Sequence, residues 1–306
     1  MARFDLLVLG GGGILGEAWM TAVLAGLSDA NGFDPLSCEG YVGTSAGSIV
    51  AAALAAGIEP RERLGELPEQ PAVAEPEEAS AAAGAADAGA LDRALGLGRS
   101  VAAPFAALGL RTSAIGGALA RRAVLGLVPR GQRGLGQLGA GLERAGARFD
   151  GRLRIAAVDL ASGRRVMFGA PGAPQAPVGA AVEASCAIPG VFRPVEIGGR
   201  DYVDGGAWSP TNMDASSASR GTRVLCLNPT GSLRSPLPGP LGAFGLFSRT
   251  LAATEALALE RRGASVTLVA PDAGSMEAIG GNLMDPRPRK RVIAAGLAQG
   301  RALAGS

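Results

Sequence analysis

At 306 residues the chain can bury one large core, and 47% hydrophobic with 18% charged residues excludes a disordered chain. A formal net charge of +2 argues neither for nor against an anionic partner, and no nucleic-acid partner is expected. The chain has no histidine and three widely spaced cysteines, which excludes an imidazole base from this chain and leaves no transition-metal site of ordinary type.

In chain order, Phe4–Leu9 predicts a short buried strand ending at Gly10–Gly13. Arg3 before Leu6–Leu9 resembles the start of a signal peptide, but Asp5 interrupts it and the run ends in glycines rather than a cleavage site. Met20, Val23, Leu24 and Leu27 recur at helical spacing, with Glu17 expected in the first turn, where a carboxylate suits the helix dipole. Glu39–Val42 predicts a second strand, Gly43–Gly47 a tight turn, and Ile49–Ala56 a buried helix stopped by Gly57 and Pro60. This alternation opens a parallel sheet.

Between about residues 60 and 147 the composition changes. Pro68–Ala90 mixes Pro, Glu and Ala, and residues 99–128 are rich in Ala, Leu and Gly, so the segment reads as a helical insertion. Its arginines at 93, 99, 111, 121 and 122 would suit a lid that covers an apolar groove and faces anionic head groups. The alternative is a packed helical subdomain whose arginines are solvated. Val101–Leu110 comes closest to a membrane span, but Arg99 and Arg111 hold it short of the roughly 18–20 residues a span requires.

Regular signals resume with strands at Leu153–Val158 and Val166–Phe168 around the turn Asp159–Gly163. A hairpin follows, with Pro194–Ile197 and Asp201–Val203 flanking Gly198-Gly199-Arg200. Val224–Leu227 and Val266–Val269 read as buried strands separated by the amphipathic stretch Leu241–Arg262, and Val292–Leu303 closes the chain as a helix. The fold expected is three-layer α/β/α with a mainly parallel central sheet, a single domain over residues 1–306.

Three features carry chemistry. Gly43-Thr44-Ser45-Ala46-Gly47 is G-x-S-x-G where a strand meets an apolar helix, the placement of a nucleophilic serine. There the Ala46 N–H points at the same spot as the hydroxyl, and the helix dipole favours developing negative charge. Without context the serine could simply cap a helix. Gly11-x-Gly13-x-x-Gly16 also satisfies a dinucleotide fingerprint, but the next strand runs into the serine turn rather than ending in an acid. A glycine loop at a helix N-terminus suits any anion, a tetrahedral oxyanion included. With no histidine, a base for Ser45 has to be Asp or Glu. Asp204 ends a strand and is followed by Gly205-Gly206; Asp159 is the rival, though Asp-Leu-Ala-Ser-Gly reads as a structural turn, and Asp201 is expected to face away.

These blocks, in this order, resemble the patatin-like phospholipases of bacteria. They are the glycine loop Gly10–Gly13 with Gly16, the G-x-S-x-G of Gly43–Gly47, and Asp204-Gly205-Gly206. Ala184-Ser185-Cys186-Ala187-Ile188-Pro189-Gly190-Val191-Phe192-Arg193-Pro194 also matches, a stretch that leads into the family's aspartate. The resemblance implies a Ser45–Asp204 dyad without histidine, an oxyanion hole from Gly11, Gly12, Gly13 and Ala46, and no metal or organic cofactor. It also implies a lipid or acyl-ester substrate. The cysteines read as buried thiols of a reducing compartment, so a cytoplasmic protein is expected, and with no apolar run of roughly 18–20 residues any membrane contact is expected from outside. A side chain at Gly12 or Gly13 is expected to intrude on the oxyanion or to force a strained backbone. Two departures stand out: Leu15 replaces a basic residue and Trp19 a histidine, which bears on head-group preference. The rival readings are a catalytically weak lipid-binding or regulatory protein on this scaffold and a dinucleotide-binding oxidoreductase.

Overall fold

The computed structural model of the chain describes residues 4–64, 117–232 and 240–305. The strands are β1 (Leu6–Leu9), β2 (Gly40–Thr44), β3 (Leu153–Asp159), β4 (Arg165–Phe168), β5 (Val195–Ile197), β6 (Arg200–Asp204), β7 (Arg223–Leu227) and β8 (Ser265–Val269). The helices are α1 (Gly13–Asn31), α2 (Ala46–Ala55), α3 (Pro60–Leu64), α4 (Gly117–Leu127), α5 (Gly136–Arg144), α6 (Val178–Cys186), α7 (Pro240–Arg261), α8 (Ala273–Ile279) and α9 (Arg289–Leu303).

The strands form one sheet in the order β5-β6-β3-β2-β1-β7-β8, with β4 paired to β3. The β2-β1-β7-β8 portion and the β2–β3 pair are parallel, whereas β4 and β6 run antiparallel to β3, and β5 to β6. Strand β1 has no polar residue because both its faces are covered. Leu7 and Leu9 enter a core with α1, α2, α6 and α9, while Leu6 and Val8 enter a second core with Ala256 and Leu259 of α7. Helices on both faces of a mainly parallel sheet give the expected architecture.

Local packing departs from the periodicity in two places. Helix α1 is buried all round from Leu15 to Leu27, because the sheet takes one face and α9 the other. Trp19 donates its indole N–H to Gln299 Oε1 of α9 at 2.9 Å, so it is a core residue, as is the fully buried Leu15. Strand β8, expected to be buried, is mostly exposed with Leu268 at 44%; it pairs with β7 alone among the described strands, and only Val269 is buried. A sheet edge leaves one side of a strand to water even when its residues are apolar.

Of the expected insertion, α3, α4 and α5 are described; Pro68–Ala90, Val101–Leu110 and the arginines at 93, 99 and 111 lie outside the described residues. Arg122 is exposed, as expected of a solvated arginine, whereas Arg121 is buried. The Arg121 guanidinium lies 4.1 Å over the Trp208 ring and donates from Nε to Ala207 O and from Nη1 to Gly163 O, each at 3.1 Å. Two carbonyls and an aromatic face satisfy a cation that the sequence suggested would face head groups.

Candidate active site

The register of β3 brings two distant strand ends together. Ile155 and Ala156 pair with β2 on one edge and with β4 on the other, and Ala157 and Val158 pair with β6 and with β4. Strands β2 and β6 therefore share one edge of β3 in succession. Because β2 is parallel to β3 and β6 antiparallel, they run toward each other. Thr44, the last residue of β2, lies against Ala156, and Asp204, the last residue of β6, lies against Ala157. Ser45 and Asp204 emerge from that junction.

Ser45 joins β2 to α2 with φ 50 and ψ −121, one of two non-glycine residues with positive φ among those described. Such a conformation costs about 1–3 kcal/mol and persists only where surroundings enforce it. Here the Ser45 N–H donates to Ser185 Oγ at 2.8 Å and the Ser45 carbonyl accepts from Ser48 Oγ at 2.6 Å. The flanking glycines are required by close approach. A Cβ at Gly43 would lie 2.5 Å from Ser48 Cα, and one at Gly47 would collide with the Leu9 carbonyl.

Asp204 is 1% exposed, and its N–H donates to Ala187 O at 3.0 Å. Its Oδ1 accepts from the Gly206 N–H at 2.7 Å. Burial pushes its carboxyl from the ordinary carboxylate range up to about 7, against the pull of hydrogen bonds from the Gly206 N–H and the Ser45 side chain. Gly205 admits no side chain, since its Cβ would strike the Ala156 carbonyl. The rival Asp159 has a different setting. It accepts from the Ala161 N–H at 2.9 Å and Ser162 Oγ at 3.0 Å, and it pairs with Arg200. Burial alone would raise its carboxyl, but the Arg200 and Ser162 hydrogen bonds outweigh that and hold it below the ordinary range. Asp201 points elsewhere, pairing with Arg130 at 2.7 Å.

Three residues the sequence did not single out hold this arrangement. Ser185 and Ala187, two residues apart at the end of α6, accept the N–H groups of Ser45 and Asp204 respectively. On the other side is Asn212, fully buried and at φ 50. Its Nδ2 donates to Thr44 Oγ1 at 3.1 Å, to Gly205 O at 3.3 Å and to Ser209 O at 2.6 Å. One amide thus ties the residue before Ser45 to the residue after Asp204. Ser185 lay inside a quoted motif, but nothing in a sequence says which carbonyls and amides an asparagine will join.

In the glycine loop, the Gly11 N–H donates to Pro210 O at 2.8 Å, so it is already engaged. The Gly12, Gly13 and Ala46 N–H groups have no acceptor among the described residues, as expected at the first positions of α1 and α2. A Cβ at Gly12 would meet Pro229 Cβ at 2.5 Å, and one at Gly13 would meet Met284 Sδ at 2.6 Å. Side chains there would collide with packing partners, and at Gly13, with φ 61, would also strain the backbone, the second of the two expected outcomes. Gly11 is the position that faces Ser45, its Cβ lying 3.5 Å from the serine Cβ. Glu17, the fifth residue of α1 rather than a member of its first turn, pairs with Arg63 at 2.9 Å and Arg289 at 3.5 Å.

Ser45 opens onto a cavity of about 600 Å³ whose apolar lining includes Ile14, Ile49, Leu135, Leu138, Ile188 and Met284. Cys186 also lines it, with Sγ 3.8 Å from Ser48 Oγ; burial and then the Asp204 charge push its thiol up, so it stays neutral at pH 7. Among the described residues no group of three or more His, Cys, Asp or Glu side chains could hold a metal ion. None of the helices described is long and apolar enough to cross a membrane.

The sequence model of the family described as Patatin-like phospholipase matches residues 7–216. No curated protein matches the chain. Among solved structures, VipD from Legionella pneumophila matches at 14% identity and a TM-score of 0.49, covering 99% of this chain and 67% of that one. The type III effector protein ExoU matches at 16% identity and a TM-score of 0.41, covering 99% of this chain and 53% of that one. The chain thus spans about two-thirds of the first and about half of the second.

Proposed function

The chain belongs to the patatin-like phospholipase family, and from that premise we propose that it is a serine acyl hydrolase acting on lipid esters, with Ser45 as nucleophile and Asp204 as general base. The observation that carries the reading is the meeting of the two strand ends, with a carboxyl raised to about 7 by burial at the end of β6. A carboxylate near its ordinary value is too weak a base to take a serine proton efficiently. One brought close to neutrality suits proton transfer in both directions at the working pH. That removes the need for the histidine the chain lacks.

In the reaction, Ser45 Oγ attacks the ester carbonyl carbon as its proton passes to Asp204. The oxyanion is held by the N–H groups of Gly12, Gly13 and Ala46, each such donor contributing about 3–4 kcal/mol in the best-measured cases. Asp204 returns the proton to the departing alcohol, and water then cleaves the acyl-serine. The acyl chain occupies the apolar cavity beside Ser45. No cofactor enters these steps. The reading extends to a cytoplasmic protein that meets lipid from outside, supported by three free, buried cysteines. The segment 60–147 is read as an insertion within one hydrolase domain.

Labelling with a fluorophosphonate probe tests the reading directly, because it reports an activated serine without a guess at the substrate. Labelling of the wild type and none of Ser45→Ala is expected. A wild type that resists the probe and hydrolyses no acyl ester refutes the proposal.

A further inference from the structure

Phe192, inside the motif stretch that leads to Asp204, is 7% exposed and borders two cavities. One is the Ser45 cavity of about 600 Å³, and the other has about 700 Å³. The ring packs with Ala187 and Ile188, and with the partly buried Leu135, Val191 and Val195. Its backbone is held on both sides. The Phe192 N–H donates to Ile188 O at 3.0 Å, and the Arg193 N–H donates to Arg133 O at 2.8 Å. The backbone that carries the ring is therefore held in place.

The second cavity has an apolar side, to which Leu125, Val128, Leu160, Pro189 and Val203 contribute, where methylene groups would only displace water. Its arginines differ: Arg130 is paired with Asp201 at 2.7 Å and Arg200 with Asp159, while Arg122 is exposed and has no carboxylate partner among the described residues.

Resting on the acyl-hydrolase reading, we infer that Phe192 determines acyl-chain length: it ends the Ser45 cavity, and the second cavity is space a longer chain enters only when this wall is cut back. The wild type then favours chains contained on the Ser45 side. Shortening Phe192 joins the cavities and moves the preference upward, and enlarging it moves the preference down.

The test compares p-nitrophenyl butyrate, octanoate and palmitate for the wild type, Phe192→Ala, Phe192→Leu and Phe192→Trp, with thermal melts to confirm folding. Phe192→Ala should raise the kcat/KM ratio of palmitate to octanoate by about tenfold or more, and Phe192→Leu less, since each methylene newly accommodated contributes about tenfold or more. Phe192→Trp should lower the ratio of octanoate to butyrate. Should Phe192→Ala fail to fold, Phe192→Leu decides the matter. Titration of Ser45→Ala, with and without Phe192→Leu, by free octanoate and palmitate measures chain selection without catalysis. A shift there supports the wall even if the wild type hydrolyses nothing, an outcome that would refute only the hydrolase reading. Unchanged ratios in folded variants, or no binding of either acid, overturn the inference.

Discussion

Two buried aspartates, one at the end of β3 and one at the end of β6, are shifted in opposite directions from the ordinary carboxylate range. Asp159 is 4% exposed and Asp204 1%, but Asp204 lies deeper in the molecule, so desolvation weighs more on it. Their partners differ as well. Asp159 sits in a turn that offers it an N–H, a hydroxyl and the Arg200 guanidinium, and its carboxyl is depressed. Asp204 receives one backbone N–H and the Ser45 side chain, with no cation, and burial raises it to about 7. A low-dielectric setting penalises charge in both places, and a neighbouring guanidinium reverses the outcome in one. The difference teaches that a carboxyl near neutrality is made by deep burial with few partners, and a depressed one by shallower burial beside a cation and hydroxyl donors.

The sharpest break between the two regions is catalytic. Ser45→Ala and Asp204→Asn should each lower turnover by about a thousandfold or more, since the proposed nucleophile or its proposed proton acceptor is gone. Asp159→Asn should keep near-native turnover per folded molecule. Ester hydrolysis beside thermal stability checks this, and a folded but inactive Asp159→Asn would exchange the two roles.

Stability against pH should separate them with opposite sign. The folded-state value of Asp204 lies above its unfolded one, so the protonated form favours folding. That contribution is fully present below about pH 4 and is lost as pH rises through 7, about 4 kcal/mol in all at about 1.4 kcal/mol per unit. Urea melts should show Asp204→Asn gaining on the wild type over that window. Asp159 is depressed, so its contribution is present above about pH 4 and is lost as pH falls through its lower folded value. Asp159→Asn should therefore be destabilised by about 1–2 kcal/mol at neutral pH and much less in acid.

A smaller effect concerns the supports of the dyad. Ser185→Ala removes the acceptor of the Ser45 N–H, and Asn212→Ala removes the tie between Thr44 and Gly205. Misplacement of reacting groups by about 1 Å costs about a hundredfold, so losses of ten- to a hundredfold in kcat with little change in KM are expected. A rise in KM alone would make these residues merely structural.

The smallest effect joins the two regions. Arg121 bonds both Gly163 O, in the turn of Asp159, and Ala207 O, beside Asp204. Arg121→Met should cost about 1–2 kcal/mol of stability and leave the pH midpoint of turnover in place. A displaced midpoint would mean that the two carboxylates are coupled through this side chain.

What the sequence by itself determined is what short-range rules govern. The glycine-flanked serine between a strand and a helix, the strand-end aspartate before two glycines and the apolar β1 all follow from backbone sterics and patterning within a few residues. On that basis the sequence favours Asp204 over Asp159, and the two carboxyls have different surroundings in the fold. Only the tertiary structure decided what depends on groups far apart in the chain. The junction of β2 and β6 on one edge of β3 brings together residues 45 and 204, and Pro210 takes the Gly11 N–H that the loop motif offered as an oxyanion donor. The same holds for the burial of Arg121 against Trp208 and the exposure of β8, whose apolar residues resemble those of an interior strand. Local propensity fixes which conformation each segment adopts; which hydrogen-bond partners remain and which charges are desolvated is decided by the neighbours that the fold brings in.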